Sequence, residues 1–174
     1  MNQQELRSLI RDVPDFPEKG VIFRDITPLL QAPEAFAGVL DAMAGYIKGR
    51  SPERIIGIES RGFLFGAPIA VHLGLPFVPV RRPGKLPSAR MSVEYTLEYG
   101  AGQLDIHADA ITPGERVVIV DDLVATGGTA EATARLVEML GAQVAGITFF
   151  IELTALGGRK RLDEYDVFSL LRID

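Results

Sequence analysis

The stretch RVVIVDDLVATGGT runs from Arg116 to Thr129. Val117, Val118, Ile119 and Val120 form an unbroken apolar, β-branched run that ends on two acids, Asp121 and Asp122. Such a run, bounded by turn residues, predicts a strand buried on both faces, and strands of that kind belong to parallel sheets. A short loop then closes on Thr126, Gly127, Gly128 and Thr129, and a helical pattern follows. In open α/β sheets the loop after a parallel strand lies at the carboxyl edge, where ligands bind.

The residue types in this loop suggest its chemistry. Gly127 and Gly128 let the backbone turn sharply and approach a ligand closely. Their N–H groups, with those opening the next helix, can converge on one anion, and the helix dipole favours negative charge there. Thr126 and Thr129 add hydroxyl donors. No lysine follows the glycines, so this is not a nucleotide-triphosphate loop, and a single phosphate suits it better. Asp121 and Asp122 would repel that phosphate. They match sugar hydroxyls, which donate to carboxylates, or a metal ion. A phosphate at one end and a diol at the other describes a ribose 5-phosphate. A tight strand-to-helix turn with two solvated acids has the same local pattern.

With 174 residues the chain suits one domain with a full core. Hydrophobic residues make up 47% and charged residues 24%, an ordinary globular composition. A net charge of −5 argues against a nucleic-acid surface. The absence of cysteine excludes disulfides, thiolate catalysis and cysteine-based zinc sites. No secretory h-region and no membrane-length apolar run is present, so a soluble cytoplasmic protein is expected. His72 and His107 lack ligand spacing and are read as structural.

Working outward, residues 55–58 (IIGI) are a second buried strand that ends in Glu59-Ser60-Arg61-Gly62-Phe63 and enters an apolar helix. Arg61 at that junction can hold a carboxylate or phosphate with two parallel hydrogen bonds. Residues 77–80 (FVPV) are a short strand opening into Arg81-Arg82-Pro83-Gly84-Lys85, where three cations in five residues make a local anion trap. Loose alternation from Met91 to Tyr99, a turn at Gly100-Ala101-Gly102 and renewed alternation to His107 predict a hairpin projecting over the sheet edge as a flap. A short helix over 3–11 is expected to be broken by Pro14, Pro17 and Gly20; Val21-Ile22-Phe23 is extended, and a core-facing helix starts at Pro33. After Thr129 a helix runs to Leu140 and Gly141 caps it; strands follow at 144–151 and 166–171. The Gly157-Gly158-Arg159-Lys160-Arg161 run between them is expected to be solvated.

The run VVIVDDLVATGGT resembles the phosphoribosyl-diphosphate-binding motif of the type I phosphoribosyltransferases, which is long and specific. FRDITPLL (23–30) is similar to the base-binding segment of the adenine phosphoribosyltransferases within that family. ESRGF (59–63) is similar to the family's pyrophosphate-side loop, and RRPGKLP (81–87) to the segment carrying a pyrophosphate-contacting lysine. YTLEYG (95–100) resembles the mobile catalytic loop. These matches, in family order, cover nearly the full length.

The resemblance implies one α/β domain over 1–174 with a central, mainly parallel sheet flanked by helices. A small N-terminal base-binding cap (1–33) and a flexible loop and protruding hairpin (81–108) complete it. It implies transfer of the 5-phosphoribosyl group from 5-phosphoribosyl 1-diphosphate to adenine. Glu98 would handle a proton near the purine, with Tyr99 beside it, and Arg61 and Lys85 would neutralise pyrophosphate. Ile22 and Arg24 would meet the base, and Glu59, Ser60 and Gly62 would form the pyrophosphate-side loop. Asp121 and Asp122 would hold the ribose hydroxyls, and Ala125, Thr126, Gly127, Gly128 and Thr129 the 5-phosphate. Arg82, the second residue of its run, carries less weight. Magnesium would arrive mainly on the substrate diphosphate, not on a protein site. A homodimer is implied, for which the helix after Arg61 offers a contact surface. A phosphoribosyltransferase for xanthine, hypoxanthine or uracil and a non-catalytic phosphoribosyl-diphosphate sensor stay open. A sensor would be expected to need a further domain for which 174 residues leave no room.

Overall fold

The computed structural model describes residues 2–97 and 100–174. Two compact units can be distinguished, residues 1–42 and 43–174.

The first unit opens with helix α1 (Gln3–Ser8). Asn2 and Glu5 cap it reciprocally: Glu5 N–H donates to Asn2 Oδ1 at 2.9 Å and Asn2 N–H to Glu5 Oε2 at 2.8 Å. Strands β1 (Arg11–Pro14) and β2 (Ile22–Asp25) pair antiparallel, with Arg11 opposite Asp25 and Asp12 opposite Arg24. Opposite charges across a ladder stabilise it, and Arg24 Nη1 lies 2.6 Å from Asp12 Oδ1. β1 falls where prolines and glycine predicted only a break. Pro14 is tolerated because it ends a strand of a two-stranded sheet. Helix α2 (Thr27–Leu30) follows, its Thr27 N–H held by Asp25 Oδ1 at 2.9 Å. Helix α3 (Pro33–Lys48) begins in this unit and ends in the second, burying Val39, Met43 and Ile47 at four-residue spacing.

The second unit is built on β3 (Arg54–Ile58), α4 (Arg61–Leu73), β4 (Phe77–Val80), β5 (Arg90–Leu97), β6 (Gly100–His107), β7 (Arg116–Val124), α5 (Gly128–Met139), β8 (Gln143–Leu153), the short helix α6 (Gly158–Arg161) and β9 (Val167–Ile173). β4, β3, β7, β8 and β9 form one sheet in that order, every neighbouring pair parallel. The middles of its central strands are apolar, with Ile55, Ile56, Val117 to Val120, Ile147 and Phe150 wholly buried. Each such side chain contributes about 1.5–3 kcal/mol by burial. Pro79 fits because β4 is an edge strand. Phe77 slots between β3 and α4, for a Cβ at Gly57 would lie 2.5 Å from its ring and one at Gly66 2.8 Å. Those two glycines bring α4 close onto β3.

The hairpin β5–β6 is confirmed but differs in two respects from the sequence expectation. Its turn is not at Gly100–Gly102: Leu97 pairs with Gly100 and Tyr95 with Gly102. Gly102 is a strand residue because the Tyr95 ring lies across it, where a Cβ would meet Cζ at 2.7 Å. Nor does the hairpin simply project, since Val93, Leu104 and Ile106 are buried in the core shared with β7 and α5. Glu98 and Tyr99 lie outside the described residues.

Arg54 and Glu115 tie the start of β3 to the turn before β7, with Nη2 on Oε1 at 2.9 Å and a second contact from Nε to Oε2. Thr112 N–H also donates to Glu115 Oε2 at 3.0 Å. These contacts, the Arg54 hydrogen bond first, hold the Glu115 pKa down at about 2, against an ordinary 4.5. A depressed carboxyl stabilises the fold at pH above its unfolded value and loses that contribution as pH falls through the folded one. Glu115→Gln should therefore cost about 1–3 kcal/mol at neutral pH. The wild-type advantage should shrink below about pH 4.5 and vanish near pH 2. Thermal melts of both proteins across that range check this; a difference independent of pH would contradict it.

Candidate active site

β3 and β7 lie side by side, but their crossovers diverge: β3 leads through α4 to β4, β7 through α5 to β8, on its other side. This is a topological switch point, where the edge of an open sheet is concave. A cavity of about 280 Å³ opens there, lined by Glu59, Ser60, Arg61, Arg82, Tyr95, Leu104, Asp121 to Ala130 and Phe149.

Two helices begin at this cavity, and neither has a side-chain cap: α5 starts after Gly127 and α4 after Ser60. The first-turn amides of a helix have no partner within the helix, so both ends present donors and positive dipole ends. Gly127 has φ +82, a left-handed conformation that favours glycine. Gly62 is buried under the acids; a Cβ there would meet Asp121 Oδ1 and the Val120 carbonyl, each at 2.8 Å. The peptide bond between Glu59 and Ser60 is cis.

The strand does not end on Asp121 and Asp122, as the sequence suggested. β7 continues to Val124, because its pairing with β8 runs on through Asp121–Phe149 and Leu123–Ile151 to Val124–Glu152. The turn is thereby cut to Ala125–Gly127. Asp122 is 3% exposed. Its N–H donates to Asp121 Oδ1 at 2.9 Å, and its Oδ2 faces Arg61 Nε at 3.0 Å. Burial first, and then the neighbouring carboxylate, pushes the Asp121 pKa well up. Burial also raises Asp122, against the pull of Arg61. Asp122 Oδ2 is buried and has the Arg61 ion pair but no hydrogen bond.

Glu59 lines the cavity, yet its carboxylate is engaged. Oε1 accepts from Arg81 Nη2 at 2.8 Å and Oε2 from Arg82 N–H at 3.0 Å. The Arg81 hydrogen bond is the main reason its pKa is lowered. Arg81 also donates from Nη1 to the Lys85 carbonyl at 3.1 Å, so one guanidinium gathers the cationic loop against the β3 tip.

Among the sequence-predicted residues, Glu59, Ser60, Arg61, Asp121, Asp122 and Ala125 to Thr129 are brought together along the cavity, with Gly62 packed beneath. Lys85 is exposed and does not line it. Ile22 and Arg24 belong to the first unit, with Ile22 half exposed and Arg24 paired to Asp12. Tyr95, Leu104 and Phe149 line the cavity without having been singled out, and Arg82, given little weight, does so too. Alternation in the hairpin marked Tyr95 only as one of a face; Phe149 gave no signal beyond a strand. The Gly157–Arg161 run is not a solvated loop. Gly158 is buried, and Arg159 Nε and Nη2 grip both oxygens of the buried Glu152, at 2.9 and 2.6 Å. Among the described residues no group of three or more acids or histidines could enclose a metal ion.

Comparison with known proteins agrees with this geometry. Residues 25–174 match the family described as the phosphoribosyl transferase domain. A Synechococcus adenine phosphoribosyltransferase is 54% identical over 170 residues, covering 98% of this chain and 99% of that one. The crystal structure of adenine phosphoribosyltransferase from Thermoanaerobacter pseudethanolicus superposes with a TM-score of 0.96 at 53% identity, over 99% of this chain and 100% of the other. The Saccharomyces cerevisiae enzyme complexed with an imino-altritol bisphosphate and adenine gives 0.92 at 41% identity, over 97% and 98%. The chain belongs to the phosphoribosyl transferase family and, within it, to the adenine phosphoribosyltransferases.

Proposed function

We propose that this chain works in purine salvage, transferring the 5-phosphoribosyl group from 5-phosphoribosyl 1-diphosphate to adenine to give AMP and pyrophosphate. One observation carries the proposal: two uncapped helix N-termini open on one cavity, with the Asp121–Asp122 pair between them. Two anion sites flanking a carboxylate pair match a sugar that carries a phosphate on C5 and a diphosphate on C1.

In the reaction the bond from C1 to the diphosphate oxygen breaks, and its electron pair leaves with pyrophosphate. A purine nitrogen forms the new bond to C1. The first turn of α5, with Ala125 to Thr129, holds the 5-phosphate. Asp121 and Asp122 accept hydrogen bonds from the ribose hydroxyls, one of which gives Asp122 Oδ2 the hydrogen bond it lacks. Charge leaving with pyrophosphate is met by α4 amides beyond Glu59, Ser60 and Gly62, by Arg61 and by the Arg82–Lys85 loop. Holding the sugar at both ends makes the encounter with the base effectively unimolecular. Glu98 handles the purine proton with Tyr99 beside it, and Ile22 and Arg24 meet the base. The Asp12–Arg24 pair supports that segment by fixing the Arg24 side chain.

With no metal-enclosing cluster among the described residues, magnesium fits as a passenger on the diphosphate, with at most the aspartate pair as protein ligands. When bound it neutralises leaving-group charge. No helix among the described residues is long and apolar enough to cross a membrane, and a cytoplasmic setting is proposed with the salvage role. A homodimer is proposed as well, since α4 leaves Leu64 and Val71 42% and 82% exposed. Sedimentation at micromolar concentration should give twice the chain mass; a monomer there would refute it.

The deciding assay is incubation with phosphoribosyl diphosphate, magnesium and each free nucleobase. AMP should form with adenine, and chelation of magnesium should suppress it. Turnover of xanthine, hypoxanthine or uracil instead would reassign the base, and binding without turnover would make the chain a sensor. Replacing Asp121 and Asp122 with alanine should lower kcat/KM by about 10²-fold or more; intact turnover would remove the ribose from this site. For Glu98→Gln the expected loss is ~10²–10⁴-fold, and a loss below about tenfold would contradict its proton role.

A further inference from the structure

We propose that Gly158 and Arg159 brace the 5-phosphate loop from behind, as positioning residues that do not touch the ligand. The proposal rests on Ala125–Thr129 being the phosphate site. A Cβ on Gly158 would stand 2.3 Å from the Ala125 carbonyl oxygen, 2.8 Å from Gly127 N and 2.9 Å from the Thr126 carbonyl carbon. In the other direction, a Cβ on Gly127 would stand 2.6 Å from the Gly158 carbonyl oxygen. The start of α6 and the phosphate loop therefore meet backbone on backbone, closer than any side chain permits.

α6 is fixed on two sides. Arg159 holds both oxygens of Glu152 on β8, and its Nη1 and Nη2 donate to the Val167 carbonyl at 2.7 Å and Ser169 Oγ at 3.1 Å on β9. Arg161 Nε donates to Glu131 Oε2, in the first turn of α5, at 2.6 Å. The loop itself has no lysine and its helix no side-chain cap. The aim of its amides is then set by what packs behind them, and a binding site of fixed dipoles needs such support. Gly158 transmits the sheet's position to the loop; Arg159 fixes Gly158.

Two neighbouring glycines separate bracing from plain stability. Gly157 has φ +68 and nothing within 4 Å of its would-be Cβ. Gly157→Ala strains the start of α6 without pressing on the phosphate loop; Gly158→Ala presses on it directly. For Gly158→Ala, KM for phosphoribosyl diphosphate and the ribose 5-phosphate dissociation constant by calorimetry should rise about ten- to a hundredfold. KM for adenine should stay within about twofold. Gly157→Ala should lower the melting temperature and leave both phosphate-dependent constants near wild type. If Gly158→Ala does not fold, Arg159→Lys decides: it keeps the charge, loses the fork geometry, and should show the same selective rise. A folded Gly158→Ala or Arg159→Lys with wild-type ribose 5-phosphate affinity overturns the brace. So does Gly157→Ala if it weakens binding as much. A wild-type chain that binds no ribose 5-phosphate overturns instead the function on which the brace depends.

Discussion

Two parallel strands, β3 and β7, run side by side and send their helices apart. The polar architecture at the sheet edge follows from that divergence. Each strand must turn into a helix at the same edge, so two helix N-termini arrive in one place. No side chain caps either of them. Two other helix starts are held by side chains: Asn2 and Glu5 close α1, and Asp25 accepts from the Thr27 amide that opens α2. The open ends of α4 and α5 stand together at one cavity, where an anion can complete them.

The carboxylates between those ends look misplaced until charge is counted around them. Asp122 has one cation close by, Arg61, reached across the junction of β3 and α4. Burial raises the pKa of both acids, a cost the fold carries at its sheet edge. A neutral, hydrogen-bond-donating diol relieves that cost without adding negative charge to the pair, whereas a phosphate would add to it. The same dry environment that penalises the acids therefore selects what may lie beside them. Glu59, just beyond the neighbouring strand β3, shows the opposite treatment. With Arg81 and the Arg82 amide on it, its carboxyl is held low and is already satisfied. Its carboxylate gathers the cationic loop and is satisfied within the cavity by those contacts.

The sheet was legible because β-branched runs at 55–58, 117–120 and 144–151 carry their own signal, and the observed strands contain them. What escaped depended on partners distant in sequence. Asp121 to Val124 stay in β7 because β8 continues to pair with them. β1 exists because β2 sets opposite charges against it. Gly100–Gly102 has the composition of a turn, yet Gly102 is needed bare so that the Tyr95 ring can cross the ladder. The Gly157–Arg161 run looks solvated because three of its residues are cations, and nothing local reveals that Glu152 and Glu131 await two of them. Composition singled out the Thr126–Thr129 loop; only the three-dimensional contacts reveal what stands behind it.

That distinction bears on selectivity. A lysine in the phosphate loop would supply a mobile point charge that accepts many anions in many positions. A loop of amides supplies direction instead, each charge-assisted hydrogen bond contributing about 1.5–3 kcal/mol when well aimed and losing strength steeply as the angle degrades. Directional recognition is only as good as the fixation of the backbone. In this chain the fixation comes from close approaches that glycine alone permits: Gly62 beneath Asp121, and Gly158 against Ala125 and Gly127. For the proposed phosphate site, the glycines whose own amides do not line the cavity then matter as much as those whose amides do, because they fix the angle of the donors.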